Sequence, residues 1–354
     1  MRGDGPTCGN ERRMGSAQGQ YSIGTAGVNL TGVGMTSTQI LRPPRLAPGA
    51  RVALLAPSGC VLEPDDVDRS AELCRALSLE PVVMAAVRRR LGYLAGTDEE
   101  RLGDLQQALN DASLGAVWCV RGGFGLTRIL RRIDFTGLTT HPKILLGFSD
   151  ISALLLAAHR ATGLVTFHGP VARNGLTPFA RERLERVLFD PSPAGKLALP
   201  APRPGMVVPR EPRVVSLQAG VADGRLLGGN LTLIQCLIGT GALPSFAGAL
   251  LFLEDVGEDL YRIDRMLAHL RDAGVFEGVA GLILGHFSDM KRGTADGARA
   301  FHDVVLDYIE PLGIPAASGF PIGHIDDQWA LPLGINARLD ATAGTVTLLE
   351  GAVA

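Results

Sequence analysis

Between Arg51 and Gly163 the chain states one pattern four times: a short apolar run, a break, then a stretch with helical spacing. "RVALLAPSG" (Arg51–Gly59) leads to Asp65–Leu77, where Val67, Ala71, Leu73, Cys74 and Leu77 fall close to one helical face. "LEPVVMA" leads to "TDEERLGDLQQAL", in which Thr97 and Glu100 have the Thr-x-x-Glu spacing of a capping box. "GAVWCV" is followed by "RGGFG" and "LTRILRRI", and "KILLGF" by "ISALLLAAHRATG". Two parallel strands cannot be joined by a tight hairpin; the connection needs a dozen or more residues, usually a helix. Strands covered by helices on both faces read as unbroken apolar runs. The alternation therefore predicts an α/β domain built on a parallel sheet.

Residues 190–213 then loosen into a proline-rich segment, "DPSPAGKLALPAPRPGMVVPREPR". Pattern returns with "NLTLIQCLIGT" (helix), "ALLFLED" (strand), "YRIDRMLAHLRDAG" (amphipathic helix), "VAGLILGHF" (strand) and a last helix around Phe301–Ile309. A chain of 354 residues has room for two domains of ordinary size. The organisation expected is an α/β domain over 46–190, a linker over 191–215 and a second α/β domain over 216–354. Residues 1–45 are polar and Gly-rich with no apolar period, so a disordered extension is expected there. Met35 opens "MTSTQILRPPRLAPGARVALLAPSG" and is the expected biological start.

Charge excludes several function classes. Lys and Arg number 34, Asp and Glu 36, and the formal net charge is −2. Nothing resembles the basic stripe of a nucleic-acid binder, so no nucleic-acid partner is expected. No apolar run reaches the ~20 residues of a membrane-spanning helix, so no membrane partner is expected either. Cys8, Cys60, Cys74, Cys119 and Cys236 show neither a disulfide framework nor a CxxC spacing. Reduced thiols in a cytoplasmic protein are the expectation.

The stretch "LLGFSDISALLLA" (Leu145–Ala157) sets Ser149 and Asp150 where a buried strand meets a helix. In open parallel sheets, sites form beyond the carboxyl ends of strands. A serine held on so sharp a turn presents its hydroxyl, and the Asp150 N–H in the first helical turn suits a developing oxyanion. The turn differs from Gly-x-Ser-x-Gly because residue 151 is Ile. Taken alone, the stretch is better read as a helix-capping Ser or Asp. "RGGFG" (Arg121–Gly125) closes the preceding strand; Gly122 and Gly123 let the backbone approach a ligand and would complete an oxyanion hole, or they form a plain tight turn.

A nucleophilic serine needs a base, and the base needs an orienting partner. Of the histidines, His168 ends a short strand and could line a cleft; His286 lies near Asp289, a weak metal pairing without a third ligand. His324 sits in the Gly- and Pro-rich "GFPIGHIDDQWALPLG", the kind of loop that carries function. Glu254 and Asp255 end "ALLFLED", where a carboxylate either caps a helix or partners an imidazole.

Seven separated motifs then resemble, in order, the LD-carboxypeptidases, which include muramoyltetrapeptide carboxypeptidases and microcin C self-immunity peptidases. They are "GYLAGTDEERLGDLQQAL", "WCVRGGFGLTRIL", "LLGFSDISALLLA", "FHGP", "GRLLGGNLTLIQCLIGT", "LFLEDVGEDLYRIDRML" and "GFPIGHIDDQWALPLG". The resemblance implies Ser149 as nucleophile, His324 as base, Glu254 as its orienting group, and Gly123 and Asp150 N–H as oxyanion donors. It implies a flavodoxin-like N-terminal domain carrying the serine and a smaller C-terminal α/β domain carrying Glu254 and His324 across a cleft. It further implies release of terminal D-alanine from a muropeptide, no metal or other cofactor, and a homodimer. For the substrate, Gly122 and Arg225 are candidate binding residues, Arg225 as a grip on the terminal carboxylate. Trp329 is the candidate for stacking a base if the substrate is instead a peptidyl or aminoacyl nucleotide. A non-catalytic two-domain ligand-binding protein is the reading from outside the enzymes.

Overall fold

The computed structural model describes residue 1 and residues 40–202, 213–290 and 299–354. Met35, Cys8 and the extension before residue 40 lie outside the described residues, as does the middle of the proline-rich segment. Fourteen strands occur among the described residues: β1 (Arg51–Leu55), β2 (Glu80–Val83), β3 (Leu114–Cys119), β4 (Ile144–Gly147), β5 (Thr166–His168), β6 (Gly195–Lys196), β7 (Val215–Gln218), β8 (Val221–Asn230), β9 (Ala249–Val256), β10 (Gly281–Ser288), β11 (Ala316–Ser318), β12 (Leu331–Leu333), β13 (Asn336–Asp340) and β14 (Thr345–Leu348). They form two sheets within the compact unit Gln39–Ala354.

The first sheet runs β12-β5-β4-β3-β1-β2. Its β2-β1-β3-β4-β5 portion is parallel throughout, the parallel sheet the alternation predicts, in the flavodoxin-like order the family resemblance implies. The second runs β6-β14-β13-β8-β9-β10-β11-β7, with β8 to β11 parallel and the outer strands antiparallel. Chain order and sheet membership part company at β12, which lies antiparallel on β5 at the edge of the first sheet. The proline-rich segment supplies β6 to one edge of the second sheet, and β7, which follows directly after it, forms the other edge.

Local chemistry sets the elements. Val52–Leu55, Ile144–Gly147 and Ala249–Asp255 are buried along their whole length, as central parallel strands must be. The Thr97 hydroxyl accepts from Glu100 N (3.2 Å) while Thr97 N donates to Glu100 Oε2 (2.8 Å), so the capping box forms and starts helix Asp98–Asn110. In helix Leu260–Asp272 the buried residues are Ile263, Met266, Leu267 and Leu270, one face at i, i+3, i+4 and i+7. The helix leaving β4 ends at Gly163, whose φ of +72° closes the last turn.

The strand order has a consequence for function. Order reverses between β1 and β3, so the loops leaving these strands diverge and open a crevice at their carboxyl ends. The loops after β1, β3, β4 and β5 all emerge there. Arg101, fully buried in the capping-box helix, ties two of them: its guanidinium donates to the Pro57 carbonyl (2.5 Å) and the Gly125 carbonyl (2.9 Å).

Candidate active site

Ser149 stands one residue beyond Phe148, on the turn between β4 and helix Ser152–Thr162, with φ at +65°. An L-residue in this region costs roughly 1–2 kcal/mol, and only Ser78 and Asp289 share it among the described non-glycine residues. Two glycines make the turn feasible. A β-carbon on Gly147 would lie 2.9 Å from the Ile151 side chain. One on Gly122 would lie 2.9 Å from Ser149 Cβ and 3.2 Å from its Oγ. The strip after β3 therefore lies directly against the serine. Gly123 has φ of +112° and its N–H makes no hydrogen bond among the described residues. Asp150 N–H opens a short 3-10 turn, where amides lack intrahelical partners.

The Asp150 side chain has a role the sequence did not suggest. Buried at the base of the turn, its Oδ2 accepts from Leu126 N (2.9 Å) and from the Ser58 hydroxyl. It is thus a cap, but for the helix after "RGGFG", and it pins the loops after β1 and β3 to the elbow. Burial pushes its carboxyl above the usual carboxylate range.

Glu254, fully buried near the end of β9, meets His324: Oε2 lies 2.8 Å from Nδ1. His324 is about one-fifth exposed, and its ring packs on Phe148 at 4.7 Å between centroids. Burial raises the Glu254 carboxyl, an effect opposed by the hydrogen bond and charge of His324. Asp255 does the other job foreseen for a strand-end carboxylate. It accepts from Thr232 N (3.0 Å), Thr232 Oγ1 (2.9 Å) and Asn230 Nδ2 (2.9 Å), capping helix Leu231–Leu237. Asn230 N in turn donates to Ser152 Oγ (3.1 Å), which fastens the end of β8 to the helix behind Ser149.

Ser149, His324, Gly122 and Gly123 line one cavity of about 310 Å³, shared with Arg121, Phe148, Val171, Arg173, Asn174, Ile325 and Asp326. No hydrogen bond joins Ser149 to His324 among the described residues.

Three expectations need correcting. Arg225 lies midway along β8, five residues before Asn230, and pairs with Asn336 and with Ala249, the residue that opens β9 at the end away from Glu254. At about 3.3 Å per residue it is some 16 Å from the carboxyl edge, and it does not line the cavity. Trp329 is fully buried; its indole N–H donates to the Ala198 carbonyl (2.8 Å) and its ring packs on Phe320, so it presents no stacking face. His168 lines no cleft: it is fully buried between Phe148 and Phe252, and neither ring nitrogen has a partner among the described residues. The His286–Asp289 pairing gathers no group of three metal-binding side chains among the described residues. Sequence reading overlooked Arg121 and Arg173, the cavity's two guanidinium groups. Arg121 could have been found as the residue that opens "RGGFG".

A parallel α/β scaffold with a strained serine on a strand-to-helix elbow, facing a carboxylate-paired imidazole, has the parts of a serine-type hydrolase. Comparison with known proteins agrees and is more specific. The LD-carboxypeptidase N-terminal domain matches residues 52–169 and the LD-carboxypeptidase C-terminal domain matches residues 223–339. The murein tetrapeptide carboxypeptidase of Pseudomonas aeruginosa is 36% identical over 300 residues, covering 82% of this chain and 93% of that one. Among solved structures, the muramoyltetrapeptide carboxypeptidase of Oxalobacter formigenes superposes with a TM-score of 0.71 at 29% identity, over 84% of this chain and 98% of that one. The microcin C7 self immunity protein in complex with aspartyl sulfamoyl adenosine shares the fold, with a TM-score of 0.79 at 23% identity over 89% of this chain and all of that one. The chain belongs to the LD-carboxypeptidase family and is a serine-type carboxypeptidase.

Proposed function

We propose that the chain hydrolyses the L,D-amide bond that releases terminal D-alanine from murein tetrapeptides, through Ser149, His324 and Glu254. The observation that carries the reading is the 2.8 Å contact between Glu254 Oε2 and His324 Nδ1, in a histidine that shares its cavity with Ser149. With Nδ1 committed to the carboxylate, the ring is held in one orientation and Nε2 is left to act on the serine. The base takes the Ser149 proton as Oγ attacks the amide carbonyl at the L-centre of the diamino acid. The Gly123 and Asp150 N–H groups receive the oxyanion. Loss of one such donor typically costs ~10²–10³ in turnover. The imidazolium then protonates the leaving amine, D-alanine departs, and water deprotonated by the same ring releases the tripeptide. None of these steps calls on a cofactor.

The nucleotide alternative loses its main support with Trp329, whose indole is buried and hydrogen-bonded. Recycling of wall peptides would place the enzyme in the cytoplasm. Free Cys60, Cys74, Cys119 and Cys236 agree with a reducing compartment. The homodimer belongs to the same reading, and the particle mass in solution tests it. The reading itself is tested by D-alanine release from purified tetrapeptide, with Ser149→Ala as the control.

A further inference from the structure

We propose that Arg121 and Arg173 form a two-guanidinium clamp for the substrate's terminal carboxylate, and that this clamp restricts cleavage to the last residue of the peptide. The inference rests on the carboxypeptidase reading above and names the part of the site that makes it exo-acting.

The two side chains reach one wall of the cavity from different loops. Arg121 follows β3, and Arg173 lies in the short turn after β5. Arg173 N donates to the Val120 carbonyl (3.3 Å), so the backbones beneath the two side chains are stitched together. Like charges gathered this way repel, and their own partners do little to offset it. Arg173 faces Asp66 at 3.9 Å, beyond hydrogen-bond distance, and its buried Nε has no partner among the described residues. Arg121 donates to the neutral Cys60 carbonyl and makes no ion pair among the described residues. Burial and the Arg121 charge both press the Arg173 pKa downward. The wall therefore carries more positive charge and more donors than the protein satisfies, and a carboxylate accepts bidentate bonds from such a fork.

Position fixes which carboxylate. Gly122 abuts Ser149 Oγ, and Arg121 is its chain neighbour. In a C-terminal residue the carboxylate lies about 3.8 Å, one residue step, beyond the scissile amide. A clamp whose backbone adjoins the oxyanion strip thus suits a single departing residue. Asp326, the only carboxylate lining the cavity among the described residues, is exposed two residues past His324 and would repel the anion from that side.

The test compares tetrapeptides ending in D-alanine and in D-alaninamide, using wild type, Arg173→Gln, Arg121→Gln and the charge-retaining Arg173→Lys. Binding of N-acetyl-D-alanine is measured alongside by calorimetry. The wild type should favour the free acid. Arg173→Gln should lose about 10- to 100-fold in kcat/KM, carried by KM, on the acid alone, the scale of one or two charge-assisted bonds. Arg173→Lys should recover part of that loss. Equal losses on acid and amide, or unchanged N-acetyl-D-alanine binding in both Gln variants, would overturn the clamp while leaving D-alanine release intact. Arginine-dependent binding of N-acetyl-D-alanine by a wild type that releases no D-alanine would support the clamp and overturn the proposed substrate instead.

Discussion

Gly323 touches the buried carboxylate of Glu254 so closely that a β-carbon added to the glycine would lie 2.6 Å from Oε2. The φ of +108° at Gly323 is likewise open to glycine and strained for any other residue. The chain before His324 is thereby pressed onto the group that holds its ring. Gly323→Ala should shift the carboxylate off Nδ1 and lower kcat by ~10²-fold or more, with KM little changed. It should also destabilise the protein by about 1–3 kcal/mol. Steady-state kinetics with a thermal melt reads both, and a variant with normal kcat would show that the contact does not position the base.

The left-handed serine gives a prediction in which stability and activity move apart. Ser149→Ala and Ser149→Gly both delete Oγ and should both be inactive, but only the glycine relieves φ of +65°. Ser149→Gly should therefore be more stable than Ser149→Ala by about 1 kcal/mol, or roughly 2 °C in Tm. Matched melts of the two variants decide it; equal Tm values would mean that the elbow stores no strain.

His168 should make folding sensitive to acid. Burial among Phe148 and Phe252 pushes its pKa down from 6.5 to about 3, with the charge of His324 acting in the same direction. Between those values the unfolded chain binds a proton that the folded one refuses, so stability falls as pH drops from 6.5 toward 3. The contribution lost by pH 4.5, two pH units below the unfolded value, is about 3 kcal/mol. His168→Leu removes two unpartnered buried nitrogens at similar volume. It should leave stability near pH 7 within about 1.5 kcal/mol of wild type and flatten the loss between pH 6.5 and 4.5. Parallel acid slopes for the two proteins would contradict this.

Asp150 offers a test of how the loops are held. Asp150→Ala strands the Ser58 hydroxyl and the Leu126 N–H in a buried site, at a cost of about 1–3 kcal/mol. Because the same carboxylate fixes the strip against Ser149, kcat should drop as well. Guanidinium titration and kinetics measure the two effects; a large stability loss with unchanged kcat would separate the carboxylate from the oxyanion strip.

What the sequence disclosed follows its periodicities. Central strands such as Val52–Leu55 and helices such as Leu260–Asp272 stand out because burial on two faces or one stripe forces an apolar pattern. Edge strands like β12 and β6 were not legible: two or three residues hold no period, and what recruits them is a partner far away in the chain. The site divides the same way. Ser149, Glu254 and His324 lie at ends of patterned elements or in a glycine-rich loop, where polar residues interrupt an apolar context. Arg225 and Trp329 were misread because residue type says nothing about which end of a strand, or which side of a loop, a side chain occupies. The part of Arg101 in tying two loops was equally invisible, since an arginine in a helix ordinarily faces water.

The most direct measurement is D-alanine release from purified murein tetrapeptide by wild type and by Ser149→Ala. The account predicts turnover by the wild type and a loss of at least ~10⁴-fold in the variant. Equal release by both would remove Ser149 from the chemistry, and no release by the wild type would remove the substrate.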